Sequence, residues 1–170
     1  IMFNNLKDYP GWKLCDLLVK TREFQAIALR TTPDKVVQVL AERIAKNEGI
    51  CEMVETGPCK ENKFLGKDID LFSLPIPKHS DVDAGRYIGS GMCITKDPDT
   101  GIRNVACLRI QIKGKTHTGF MAVPRDTWKH LNKYESMNKP MPMAVAIGHH
   151  PAFDIATNTT LAYGVDELQL

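Results

Sequence analysis

The 170-residue chain has few aromatic residues, no block of charge of one sign and no pair of cysteines at redox or metal spacing. Each shortage removes a class of protein. Lysine and arginine (22) nearly balance aspartate and glutamate (20) and are interspersed with them, for a net charge of +2. With no basic stripe and no interleaving of basic and aromatic residues, nucleic acid is not an expected partner. No apolar run approaches the roughly 20 residues that cross a bilayer, and no charged start followed by an apolar stretch marks a signal peptide, so no membrane partner is expected. The cysteines, Cys15, Cys51, Cys59, Cys93 and Cys107, are odd in number and contain no C-x-x-C pair. That pattern argues against a disulfide framework and for a reducing, cytoplasmic setting. Internal repeats and low-complexity tracts are also missing.

What is present is the composition of a folded protein, 43% hydrophobic and 25% charged, enough for one large domain or two small ones. The chain opens on "IMFNNL", an extended piece already under way without an initiator methionine, and it reads as the interior of a longer protein.

Periodicity divides the chain in two. In "TTPDKVVQVLAERIAKNEG" a helix is predicted, with Thr32 as cap, Pro33 in the first turn, an apolar face of Val36, Val37, Leu40, Ala41 and Ile44, and Gly49 as terminator. Thr21 is placed to start a shorter helix through Phe24, Ile27 and Ala28. With the extended pieces "IMF" and "ICEMVE", residues 1–60 read as a small α/β unit. "DIDLFSLPIPKHSDVDAG" follows, where Pro75, Pro77 and Gly85 break regular structure and predict an extended connector. "RYIGSGMCITKD" and "IRNVACLRIQIK" flank Asp97-Pro98-Asp99-Thr100-Gly101, a hairpin turn. A third strand in "THTGFMAV", a helix with Trp128, Leu131 and Tyr134 inward, a buried strand in "PMPMAVAIG" and a helix from Pro151 complete the reading. Residues 61–170 are thus expected to form an α+β domain whose mainly antiparallel sheet curls toward a barrel.

"GIRNVACLRIQI" has the composition of a buried strand yet carries Asn104 and Arg109. An amide offers a neutral oxygen ligand and a guanidinium offers a permanent charge in a fixed fork, so together they suit a site for a cation and an anion. Residues five apart point to opposite faces of a regular strand. Either Asn104 lies at the strand's start or a bulge restores a common face. The competing structural reading places Asn104 in the turn and pairs Arg109 with an acidic neighbour on an open sheet face.

The linked motifs "GKDIDLFSLPIPKHSDVDAGRYIGSGMCITKDPDTGIRNVACLRIQ", "MPMAVAIGHHPAFDIA" and "GVDE", with "FNNLKDYPGWKL" upstream, resemble the UbiD family of reversible (de)carboxylases over essentially the whole chain. The resemblance implies a flavin-binding split β-barrel in 61–170, incomplete at its C-terminus, and a cytoplasmic enzyme that uses prenylated FMN. Its small-molecule partners would be an aromatic, heteroaromatic or α,β-unsaturated acid and CO2, and the full-length protein would be a homo-oligomer. It implies that Asn104 ligates a divalent metal, typically Mn2+, beside the cofactor phosphate. Arg109 would lie by the flavin and the substrate carboxylate as the catalytic cation, with Ser90 on the cofactor side.

The family's histidine metal ligand has no direct counterpart. Asp126 stands at that point, with His130 the nearest later histidine and a helix cap the alternative role for Asp126. The remaining glutamate ligand and the acid/base glutamates are expected in segments beyond this chain, with Asp166 and Glu167 set aside. A monovalent cation, K+, is implied near the segment after Pro151, with Thr157 as its candidate. His149 and His150 read as loop or capping residues, Trp128 as core, and Gly89-Ser90-Gly91 as room for a flat cofactor or a bend. A non-catalytic flavin-binding or assembly subunit is the alternative to the enzyme, and a flavin reductase on the same barrel type is a third reading.

Overall fold

The computed structural model describes residues 1–170. At the N-terminus β1 (Met2–Phe3) pairs antiparallel with β2 (Leu14–Cys15). Helix α1 (Arg22–Leu29) is capped by Thr21, whose hydroxyl accepts from Phe24 N, and it ends at Arg30 in the left-handed region. Helix α2 (Val36–Lys46) begins later than the sequence predicts. Thr32 and Pro33 belong to a preceding turn in which Lys35 N donates to Thr32 O, and Asn47, not Gly49, is the left-handed C-cap. "ICEMVE" is not a strand. Ile50, Met53 and Val54 are exposed and pair with neither sheet. Ala26, Leu29 and Val36 form a small core to which Ile155 of the C-terminal part adds.

The main sheet holds β3 (Tyr87–Lys96), β4 (Arg103–Ile112), β5 (Thr118–Phe120) and β6 (Ala144–Ala146) in the order β5-β4-β3-β6. All its pairings are antiparallel. The β3–β4 hairpin closes through Asp97–Gly101, where Gly101 takes φ 74°, a conformation that costs a residue with a Cβ. The predicted strands around β5 and β6 are cut to three residues each, and Ala144 is exposed.

Register assigns the two faces. Ile88, Cys93, Ile110 and Ile112 form the core on one face, closed by Leu71 and Ile76 of the connector and by Phe120, Met143 and Val145. Further along that face, Thr95 and Asn104 are buried under α3 (Asp126–Ser136). The opposite face carries Met92, in reach of Thr157 on α4 (Pro151–Thr157). Between Ile88 and Gly91 the register shifts, so Gly89 and Ser90 together oppose Arg109 as a β-bulge. A Cβ on Gly91 would lie 2.9 Å from Ile88 Cγ2 and 3.0 Å from Val145 Cγ1. Gly91 therefore serves close packing of the core, and the bulge at Gly89 and Ser90 is the bend that the sequence offers as the alternative to room for a flat cofactor.

Candidate active site

Asn104 is the second residue of β4, and the bulge lies in β3. The strand-start alternative is the one observed. Strand alternation then leaves Asn104 and Arg109 on opposite faces, roughly 17 Å apart along β4 at about 3.4 Å per residue.

Asn104 is buried, and its amide nitrogen donates to Thr127 Oγ1 at 2.9 Å. Its amide oxygen accepts nothing from the protein and is not sealed off. Asp126, the residue before Thr127 and the first of α3, is held by Lys129 Nζ at 3.1 Å. It does not act as helix cap, since Arg125 occupies that position.

Glu167, set aside on sequence order, arrives at the same place. β5 pairs only with the far end of β4, so the edge of β4 near Asn104 is uncovered by a strand. The 3-10 turn Glu167–Gln169 fills it, with Glu167 Oε2 accepting from Val105 N at 2.9 Å. Burial pushes the Glu167 carboxyl above its ordinary value against that hydrogen bond, and the charges of Asp166 and Asp126 push it the same way. A carboxylate crowded by others in a poorly solvated spot favours either a proton or a cation. The only sequence signal for Glu167 was its place in "GVDE", and chain order hid its proximity to Asn104.

No three His, Cys, Asp or Glu side chains cluster here at metal-binding distance. The oxygen donors at this end of β4 that could serve a divalent ion are the Asn104 amide and the carboxylates of Asp126 and Glu167. Those are the neutral and anionic oxygen donors that suit Mn2+. His130 is engaged elsewhere: it is 2% exposed, its Nδ1 lies 2.9 Å from Thr95 Oγ1, and burial lowers its pKa.

Arg109 occupies a second locus. Its guanidinium lies 3.8 Å over the Tyr87 ring and donates to Asp83 Oδ1 at 2.6 Å, with its side chain 53% exposed. The Arg109 hydrogen bond holds the Asp83 carboxyl below the usual range. Ser90 is exposed on the bulge opposite Arg109. The structure thus brings Ser90 and Arg109 together, and Asn104 and Asp126 together, as two separate pairs.

Among the remaining residues, His150 is the α4 cap, accepting from Ala152 N through Nδ1 at 3.2 Å. His149 Nε2 stands 3.9 Å from Asp154. The Thr157 hydroxyl faces Met92 Sδ and Asp154 O. Trp128, expected in the core, is 40% exposed. The helix turns Thr127 and His130 inward instead, because the sheet surface it meets is the polar patch of Asn104 and Thr95.

Comparison with known proteins agrees with this architecture. The family model for the 3-octaprenyl-4-hydroxybenzoate carboxy-lyase Rift-related domain (UbiD) matches residues 52–170. The chain belongs to the UbiD family. It is 37% identical to an anhydromevalonate phosphate decarboxylase of Methanothermobacter thermautotrophicus, over 100% of this chain and 39% of that protein. It is 30% identical to a phenolic acid decarboxylase of Streptomyces, over 99% of this chain and 37% of the relative. Among solved structures, the UbiD-class enzyme HmfF of Pelotomaculum thermopropionicum in complex with FMN matches with a TM-score of 0.91 at 36% identity, over 99% of this chain and 38% of that one. An evolved dimeric form of the same enzyme in complex with prFMN gives the same TM-score and identity. The chain spans between 32% and 39% of the length of the first curated relatives it matches.

Proposed function

We propose that this chain is part of a UbiD-type carboxy-lyase that carries out non-oxidative, reversible decarboxylation of an aromatic, heteroaromatic or α,β-unsaturated carboxylic acid with prenylated FMN. The observation that carries the reading is the start of β4, where Asn104 bonds Thr127, the neighbour of Asp126, and Val105 N bonds Glu167, on a strand whose far half presents Arg109. Residues 61–170 would supply the flavin platform and 1–60 part of the preceding domain.

The oxygen cluster is assigned to Mn2+, whose charge would hold Glu167 ionised and balance the cofactor phosphate. When bound, prenylated FMN supplies the electron sink for breaking the bond between the carboxyl carbon and an sp2 carbon. Arg109 is assigned to the substrate carboxylate. Its planar fork suits two carboxylate oxygens, Tyr87 supports its plane, and Asp83 now occupies the position the acid would take. Ser90 borders the same space from the bulge. K+ is assigned to the α4 segment through backbone oxygens, because the Thr157 hydroxyl is turned to Met92. The intact protein is read as a cytoplasmic homo-oligomer.

The test is decarboxylation by the full-length protein loaded with prenylated FMN and Mn2+, across a panel of aromatic and unsaturated acids, with CO2 release as the readout. Arg109→Ala should reduce turnover at least a hundredfold while leaving the fold and the bound flavin intact. Retention of most activity would remove Arg109 from the chemistry. Inactivity toward every acid in the panel, with flavin and metal bound, would overturn the reading.

A further inference from the structure

The oxygen donors assigned to the metal come from three places far apart in the chain: the β3–β4 hairpin, the first turn of α3 and the C-terminal 3-10 turn. Something must hold these segments in register, since a metal site loses affinity when its ligands are free to wander. One side chain reaches the hairpin turn itself, the last turn of α3 and the segment that leads into the C-terminal 3-10 turn. Asp97 is 4% exposed at the end of β3. Its Oδ1 accepts from Asp99 N at 2.9 Å and Thr100 N at 3.4 Å, which shapes the turn leading into β4 and Asn104. Lys133 Nζ donates to both its oxygens, at 3.0 and 2.8 Å, and Lys133 lies two helical turns after Asp126 on α3. Tyr163 OH donates to Oδ2 at 2.6 Å, four residues before Glu167.

The tie is reinforced around its edge. Lys129 Nζ, which also holds Asp126, sits 4.0 Å over the Tyr163 ring. His130 Nε2 stands 3.9 Å from Asp97 Oδ2, with its other nitrogen on Thr95.

Resting on the metal assignment above, we infer that Asp97 is the positioning residue of the site: one buried carboxylate that clamps hairpin, helix and C-terminal turn so that Asn104, Asp126 and Glu167 face a common point. Asp97 does not touch the metal or the substrate. Its effect reaches them through Lys133, Tyr163 and its own turn. Mutation of such supporting groups commonly weakens metal binding by about 10- to 100-fold.

The experiment titrates Mn2+ into metal-stripped full-length protein with FMN present, reading free Mn2+ by its electron paramagnetic resonance signal. Asp97→Asn and Tyr163→Phe should each raise the Mn2+ dissociation constant about 10- to 100-fold with the number of sites per chain unchanged. Loss by partial unfolding would instead lower the number of sites and leave the dissociation constant as it was, which would overturn the inference. Tyr163 is 44% exposed, so Tyr163→Phe decides the matter if Asp97→Asn fails to fold. Glu167→Gln separates the two levels. If it weakens Mn2+ binding while Asp97→Asn and Tyr163→Phe do not, the clamp is wrong and the metal site stands. If Glu167→Gln leaves binding unchanged, the metal assignment falls and takes the clamp with it.

Discussion

Asn104 and Arg109 lie five residues apart on β4, so strand geometry sends their side chains to opposite faces, and each is surrounded by its own set of partners. For Arg109 the set includes Asp83, which accepts one hydrogen bond from the guanidinium that the proposed function assigns to the substrate acid. Removing that competitor should favour the substrate. In the full-length enzyme Asp83→Asn is expected to lower KM for the acid about two- to fivefold, the modest range of a solvent-exposed ion pair. A raised KM would mean that Asp83 orients Arg109 and does not compete for it. Gly91 makes a residue-scale prediction of a different kind. Its Cβ would press on Ile88 and Val145, both branched and buried or half-buried in the core. Gly91→Ala should therefore cost about 1–3 kcal/mol of stability as overpacking, measured by urea unfolding. Cys93 is a counterpart: it is fully buried in the same core, and burial pushes its thiol up to about 11, so it should resist thiol reagents in the native state.

Helix α3 shows how a tertiary neighbour overrules a periodicity. Of the apolar series Trp128, Leu131 and Tyr134, the rotation adopted leaves Trp128 exposed and the other two half-buried beside the inward Thr127 and His130. The sheet beneath is polar at that end, and hydroxyl, imidazole and amide satisfy one another there. The arrangement carries a pH dependence. Burial lowers the His130 pKa, so the folded state prefers the neutral ring while the unfolded chain binds a proton near pH 6.5. At this group the unfolded state therefore holds more protons below that pH, and the His130 contribution to stability falls as pH drops through 6.5 toward the folded value. Urea midpoints measured between pH 7.5 and 5 should show this slope, and His130→Gln should flatten it. An unchanged slope would assign the pH dependence elsewhere. At α1 the cap is simpler. Thr21→Ala should cost about 1 kcal/mol or somewhat less, because one first-turn amide loses its acceptor.

As a whole molecule the chain exposes 11965 Å2 to solvent, against roughly 8,400 Å2 expected of a compact monomer of its mass. Ile50, Met53, Val82 and Met121 are each more than three-quarters exposed. Surface of that extent and composition associates in water. Expressed alone, residues 1–170 should bind the dye ANS and self-associate, with both signals reduced in the full-length protein. A monodisperse 170-residue chain without ANS binding would show that this surface is tolerated. The core around Leu29 takes in Ile155 of α4, and Gly49 N donates to Gln169 O at 2.8 Å. The N-terminal unit is thus seated on the C-terminal one.

The β3–β4 hairpin, the Thr21 cap and the helix from Pro151 were legible in the sequence because each depends on local chemistry: a turn-forming Asp-Pro-Asp-Thr-Gly run, a hydroxyl before an apolar series, and a proline in a first helical turn. The linked motifs determined the family for the same reason, since they are read residue by residue. Other features depended on long-range partners and could not be read that way. "ICEMVE" has strand composition but joins neither sheet, and α3 took its rotation from the polar sheet beneath it. Glu167 reached Val105 N, next to Asn104, on the stretch of the β4 edge that β5 leaves uncovered. Sequence order ranks residues by distance along the chain, whereas a cation is held by whichever oxygens the folded backbone brings within reach. The meeting of Asn104 with Thr127 and of Val105 with Glu167 was decided by the tertiary structure alone.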